Sequence, residues 1–139
     1  FEKSDYSQLS GMVRDYKPDV VGFTAVSSQF SFVVELSDIV KEISSKIITV
    51  CGGVHTTLYP QCILEAKSLD AIFIGDAEHP FLDFLEKIKN NVSWKDCDNV
   101  AYNDNGKLIK NKLRKLLNDE ELGLLPHPDR TTYPFSKKS

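Results

Sequence analysis

The chain alternates between two kinds of segment, and that alternation constrains its fold more than any single residue does. Three short runs, residues 19–25 (DVVGFTA), 46–51 (KIITVC) and 70–75 (DAIFIG), are dense in β-branched and apolar side chains, as in strands buried on both faces of a sheet. Between the first two, Phe32, Val33, Leu36, Ile39, Val40 and Ile43 recur three or four residues apart, which places them along one face of a helix. After the third run, Phe81, Leu82, Phe84, Leu85 and Ile88 repeat that spacing behind Pro80, a residue tolerated in a first helical turn. Residues 6–16 are expected to form one more helix. The order strand, helix, strand, helix, strand, helix belongs to a parallel sheet wrapped by right-handed crossovers, so the predicted class is α/β, doubly wound.

Past Trp94 the pattern changes. Residues 99–102 and 108–110 flank Asn103-Asp104-Asn105-Gly106, a turn signal that predicts a β-hairpin added to the end of the domain. From residue 112 onward, leucines are scattered among charges and Pro126, Pro128 and Pro134 interrupt any regular element. The expected division is an α/β domain over residues 1–111 and a partly docked linker over residues 112–139.

Composition narrows the function classes. With 139 residues, 41% hydrophobic and 27% charged, one globular core is expected. A net charge of -3 and the lack of a basic block leave no footprint for a phosphate backbone, so nucleic acid is not an expected partner. No apolar run approaches the roughly 20 residues of a membrane span. The opening Phe1-Glu2-Lys3-Ser4-Asp5 has no signal-peptide organisation, and the chain reads as cytoplasmic. Cys51, Cys62 and Cys97 are odd in number and far apart, so they read as buried free thiols rather than a disulfide framework or metal site. The missing initiator methionine suggests an excised fragment.

In open parallel sheets, ligands bind beyond the carboxyl ends of the strands. The loops there are Val26-Ser27-Ser28-Gln29, Gly52-Gly53-Val54-His55-Thr56-Thr57 and Asp76-Ala77-Glu78-His79. The paired glycines serve either a tight strand-to-helix turn or the close approach of a bulky ligand to the main chain. The hydroxyls of Thr24, Ser27, Ser28, Thr56 and Thr57 offer an uncharged polar rim. His55 reads as a hydrogen-bonded loop residue rather than a metal ligand. Asp76 and Glu78 read as favouring the amino end of the next helix more than as an acid and base. Ser27 and Ser28 lack a G-x-S-x-G elbow and read as capping residues. No G-x-G-x-x-G or Walker loop follows any strand, which weighs against a dinucleotide or nucleoside-triphosphate site.

Taken in order, KPDVVGFTAVSSQF, ITVCGGVHTTLYPQCILE, LDAIFIGDAEHPFLDFLE, NVAYNDNGKLIKN and LLPHPDR resemble the cobalamin-binding-type domain that precedes the barrel in radical S-adenosylmethionine enzymes. The branch they resemble most includes the anaerobic magnesium-protoporphyrin IX monomethyl ester oxidative cyclases, together with methyltransferases. The resemblance implies a partial Rossmann-like, flavodoxin-like three-layer fold, whose three strands would be the third to fifth of a 2-1-3-4-5 sheet. Thr24 and Val26 fall where the family flanks the cofactor's nucleotide tail, and Gly52 and Gly53 match its second cofactor loop. His55 and Thr56 match the residues that follow. Gly75 and Glu78 match a third loop often written G-E-G-E, although Ala77 here adds a Cβ where the family often has none. With the first loop's Ser27, Ser28 and Gln29, these residues are the expected cofactor-facing set, and none is expected to be catalytic or to bind a metal.

Two family segments have no counterpart. The D-x-H-x-x-G stretch that supplies cobalt's lower histidine is missing, and so is the C-x-x-x-C-x-x-C run that holds a four-iron cluster beside S-adenosylmethionine. The fragment is therefore expected to be catalytically silent and to bind cobalamin weakly or not at all. Cluster, S-adenosylmethionine and small-molecule substrate are expected in the parent's barrel. The alternative is an interaction or substrate-gating scaffold without cobalamin, with a flavin or signalling module as a third option. The edge of the first strand is expected to be exposed and to pair two chains into a homodimer.

Overall fold

The computed structural model describes residues 3–131, with side chains from Tyr6 onward. Its elements are α1 (Lys3–Tyr16), β1 (Val20–Thr24), α2 (Phe30–Ile43), β2 (Ile48–Gly52), α3 (Val54–Leu58), β3 (Ala71–Phe73), α4 (Glu78–Lys89), β4 (Val100–Asp104), β5 (Lys107–Lys110) and α5 (Asp119–Leu124). The strands form one sheet in the order β1-β2-β3-β4-β5. β1, β2 and β3 run parallel, from Val20 opposite Ile48 to Thr24 opposite Gly52 and on to Cys51 opposite Ile72. The predicted hairpin joins antiparallel beside β3, with Ile72 opposite Ala101. Its two-residue turn, Asn105 and Gly106 at φ 52° and 89°, lies between the paired Asp104 and Lys107, as a right-twisted hairpin requires.

Alternation along the strands sorts the core into two layers. Cys51 and Ile72 face Phe30 and Val33 of α2 together with Cys62 and Ile63. Val50, Ala71 and Phe73 face the other way, onto Phe84, Phe81 and Leu85 of α4. A third cluster of Val13, Val40 and Ile47 joins α1 and α2 at the amino end of the sheet. Phe73, Phe81 and Phe84 pack with centroids 5.3–6.2 Å apart, and Trp94 continues the chain of rings 5.2 Å from Phe84. Helix α2 buries Phe30, Val33, Ser37 and Val40, so of the expected face Val33 and Val40 are fully buried while Phe32, Leu36, Ile39 and Ile43 are only partly covered.

Three expectations are corrected. β1 is half exposed rather than buried on both faces, because it pairs on one side only and α4 does not reach across it. The crossover from β2 to β3 is the five-residue α3 followed by a 3-10 turn over Pro60–Leu64, not one long helix; Pro60 opens that turn. The tail contains a regular element, α5, whose start is fixed by Asn118 accepting from the Glu121 amide at 2.9 Å while the Glu121 carboxylate accepts from the Asn118 amide at 3.0 Å. The expected linker over residues 112–139 extends past the described residues. No helix among the described residues is long and apolar enough to cross a membrane.

Candidate functional site

Parallel register brings the ends of β1, β2 and β3 to one rim. Thr24 and Gly52 are direct neighbours there, and the Ala25 amide donates to the Gly52 carbonyl at 3.1 Å. Gly53 then turns the chain at φ 101° and ψ -170°, a region essentially restricted to glycine. That turn returns the main chain to the first loop, where the His55 amide donates to the Ala25 carbonyl at 3.1 Å.

Side chains complete the stitching. The His55 ring lies against Phe30, centroids 4.4 Å apart, and its Nδ1 is 3.1 Å from the Ser27 hydroxyl. Thr56 is fully buried, and its hydroxyl meets the carbonyls of Gly53 at 3.1 Å and Phe73 at 2.8 Å. Thr57 accepts from the Gly75 amide at 2.9 Å while its own hydroxyl donates to the Gly53 carbonyl at 2.9 Å. The second loop thus holds the first through His55 and the third through Thr57. Gly75 turns at φ 73°.

Beside this rim, on the α4 face of the sheet, lies an open groove of about 470 Å³ lined by Gly22, Phe23, Thr24, Val50, Gly52, Phe73, Ala77, Glu78 and Phe81. Its floor exists because two strand positions lack side chains. Methyl groups at Gly22 and Gly52 would meet only ordinary contacts, 3.7 Å from Val50 and 3.9 Å from Phe73, and would take up groove space. A second, mainly apolar groove of about 840 Å³ adjoins it along α4, sharing Glu78 and Phe81 and reaching Leu122 and Pro126 of the tail.

The expected site residues divide accordingly. Thr24, Gly52 and Glu78 line the groove. Gly53, His55, Thr56 and Gly75 build the rim by the bonds above. Val26, Ser28 and Gln29 are exposed around a 3-10 turn closed by the Gln29 amide on the Val26 carbonyl at 2.9 Å. No serine side chain caps α2. Glu78 opens α4, placing its carboxylate by the helix's positive end without a capping bond. Ala77 has φ -119°, so its Cβ is unstrained and forms part of the wall. Gly22, Phe73 and Phe81 were not anticipated, although a lone glycine within a strand signals close approach. Among the described residues no three His, Cys, Asp or Glu side chains converge as metal ligands do.

The groove is mostly apolar, with the Thr24 hydroxyl and the Glu78 carboxylate as its polar side chains, a lining that suits an organic ligand more than a bare ion. A parallel β1-β2-β3 core extended by an antiparallel hairpin, with a glycine-floored groove at its strand ends, is an α/β domain of the kind that takes ligands at that edge. The family model for the B12 binding domain matches residues 3–85, and the chain belongs to that family. It is 26% identical over 98% of its length to an uncharacterized methyltransferase of Pyrococcus horikoshii. It is 33% identical over 68% of its length to an anaerobic magnesium-protoporphyrin IX monomethyl ester cyclase of Rubrivivax gelatinosus. The chain spans only 29% and 18% of these two relatives. The fold matches 80% of this chain, and 16% of the other, to the cobalamin-dependent S-adenosylmethionine radical enzyme OxsB, solved with aqua-cobalamin and S-adenosylmethionine bound, at TM-score 0.67 and 20% identity.

Proposed function

We propose that this chain is the cobalamin-binding-type accessory domain of a radical S-adenosylmethionine enzyme, a methyltransferase or a magnesium-protoporphyrin IX monomethyl ester cyclase. The carrying observation is the groove floored by Gly22 and Gly52 at a rim where three loops meet. Thr24 and Val26 would flank the cofactor's nucleotide tail. Ser27, Ser28 and Gln29 of the first loop, Gly52, Gly53, His55 and Thr56 of the second, and Gly75 and Glu78 of the third would complete the surface that faces it. When bound, cobalamin supplies methyl-transfer or one-electron chemistry at cobalt. This chain's residues hold, orient and shield; the cluster and S-adenosylmethionine would be held by other parts of the parent. A C-x-x-x-C-x-x-C triplet encoded within about 250 residues downstream, a barrel's length, is the expected companion.

Because the groove is open on its β1 side, binding by these 139 residues alone is expected to be weak. Amide NMR titration with hydroxocobalamin suits that regime. Saturable shifts centred on Gly22, Thr24, Gly52, Gly53 and Gly75 are expected; shifts confined to the opposite end of the strands, or none at millimolar ligand, would refute the reading.

The open edge of β1 supports a homodimer formed by pairing two such edges. Light scattering should show a concentration-dependent dimer, abolished by Val20→Pro: Asp19 and Ala25 bond to β2, so the Val20 amide faces the free edge and its removal leaves the β1–β2 ladder intact.

A further inference from the structure

We infer that Asn99 is a positioning residue that latches the third rim loop, residues 75–78, to the strap of residues 112–117, making the loop's shape depend on where that strap lies. The inference rests on the cobalamin reading only for what the loop faces.

Asn99 is 4% exposed and sits at φ 61°, a backbone region that asparagine tolerates better than most residues with a side chain. It bonds in both directions. Toward the loop, its Nδ2 donates to the carbonyls of Ile74 at 2.8 Å and Asp76 at 3.0 Å, and its carbonyl accepts from the Ile74 amide at 2.9 Å. Toward the strap, its Oδ1 accepts from the Arg114 amide at 2.7 Å and its own amide donates to the Lys112 carbonyl at 2.9 Å.

The side-chain partners are all main-chain groups of fixed polarity, so the amide has one orientation that satisfies them: nitrogen to the loop, oxygen to the strap. One rigid plane therefore joins the two segments. Strap and loop also enclose a cavity of about 80 Å³ lined by Gly75, Asp76, Glu78, Arg114 and Leu116. A displaced strap would pull Oδ1 with Arg114 and rotate Nδ2 away from two loop carbonyls. No other residue type of this size offers a donor pair and an acceptor while accepting a positive φ. Aspartate retains the acceptor alone.

The test compares Asn99→Asp and Arg114→Pro in the full chain by amide hydrogen exchange and by the same hydroxocobalamin titration. Asn99→Asp keeps the acceptor for the Arg114 amide and removes the donors to the loop. Expected is about tenfold or faster exchange at Ile74 and Gly75, with Arg114 protection kept and the ligand-induced shift at Gly75 weakened more than that at Gly52. Arg114→Pro deletes the strap's donor on an exposed residue, and its expected effect is faster exchange across the gap at Gly75. Unchanged exchange at Ile74 and Gly75 in both variants would overturn the latch. If only Asn99→Asp folds poorly, Arg114→Pro decides alone by the same criterion. If the wild type shows no hydroxocobalamin shifts while both variants speed exchange, the latch stands and the ligand reading falls.

Discussion

Gly53 lies so close to Ala25 that a methyl group on its Cα would stand 2.8 Å from the Ala25 carbonyl oxygen and 2.8 Å from the Thr24 hydroxyl. That contact is what lets the second loop fold back on the first. The φ of 101° adds backbone strain for any other residue. Gly53→Ala is therefore expected to cost about 3 kcal/mol, clash and strain together, read as a lowered urea midpoint. A variant as stable as the wild type would mean that the loop reaches its position by another conformation.

Gly52, one residue earlier, obeys different physics. A methyl group on its Cα would have Phe73 as its nearest neighbour, at 3.9 Å, so Gly52→Ala is expected to leave stability unchanged or raise it by about 0.5 kcal/mol through the unfolded state. The added methyl takes up groove space, so hydroxocobalamin affinity should fall severalfold. Loss of stability with retained binding would show that the groove is not where ligand sits.

How much of this was readable depends on whether the signal is local. Helices α2 and α4, the three parallel strands and the hairpin turn follow from apolar spacing and from Asn105-Gly106, because periodicity encodes burial directly. The half exposure of β1 does not follow, since DVVGFTA reads as apolar as the runs that form β2 and β3; its burial depends on what lies beside it. The capping box of α5 was legible as Asn118 and Glu121 three apart but was obscured by the nearby prolines. At the site, Gly52-Gly53 announces a tight turn. The floor needs Gly22 as well, and only the register that sets Gly22 opposite Val50 and Thr24 opposite Gly52 puts the two glycines diagonally on one face. Asn99 carries no sequence signal, because its partners are main-chain groups of segments distant in the chain.

Lys87 lies 2.9 Å from Asp96 and 3.4 Å from Asp83, and the hydrogen bond from Lys87 holds the Asp96 carboxyl below its ordinary value. The sign follows from which form the fold favours: a lowered carboxylate contributes stability above its unfolded value and loses it as pH falls through the folded one. Asp96→Asn should therefore flatten a small part of the acid-side slope of urea stability below about pH 4. The pair is exposed, so an equal slope in wild type and variant would show that solvent screens it completely.

Burial pushes the thiols of Cys51, Cys62 and Cys97 up, to about 12, 11 and 11. Desolvation is the leading cause in each, and for Cys51 the neighbouring Cys62 adds to it. A raised folded value leaves stability intact below the unfolded thiol value, near 8.5, and drains it as pH climbs toward the folded value. Urea stability should fall between about pH 9 and 11, and Cys51→Ala should show a shallower fall over that window. Equal slopes would mean that Cys51 ionises without cost, which its complete burial argues against.

At the far end of the sheet from the groove, Asp70 gathers three donors on one carboxylate oxygen: Lys41 Nζ at 2.6 Å, the Thr49 amide at 2.8 Å and the Thr49 hydroxyl at 3.1 Å. Lys41 also donates to the Ile47 carbonyl at 2.6 Å, so the aspartate ties α2 to the start of β2. Its side chain is 35% exposed and that of Lys41 21%, which leaves part of the interaction screened. Asp70→Ala is expected to cost about 2 kcal/mol, mostly from stranding the Thr49 amide and the lysine. Asp70→Asn, which keeps an acceptor for Thr49, should cost about half as much. Both variants should keep the hydroxocobalamin shifts at Gly52 and Gly75, because the tie lies at the opposite end of the strands. A loss of those shifts in a folded Asp70→Asn chain would show that the two ends of the sheet are coupled.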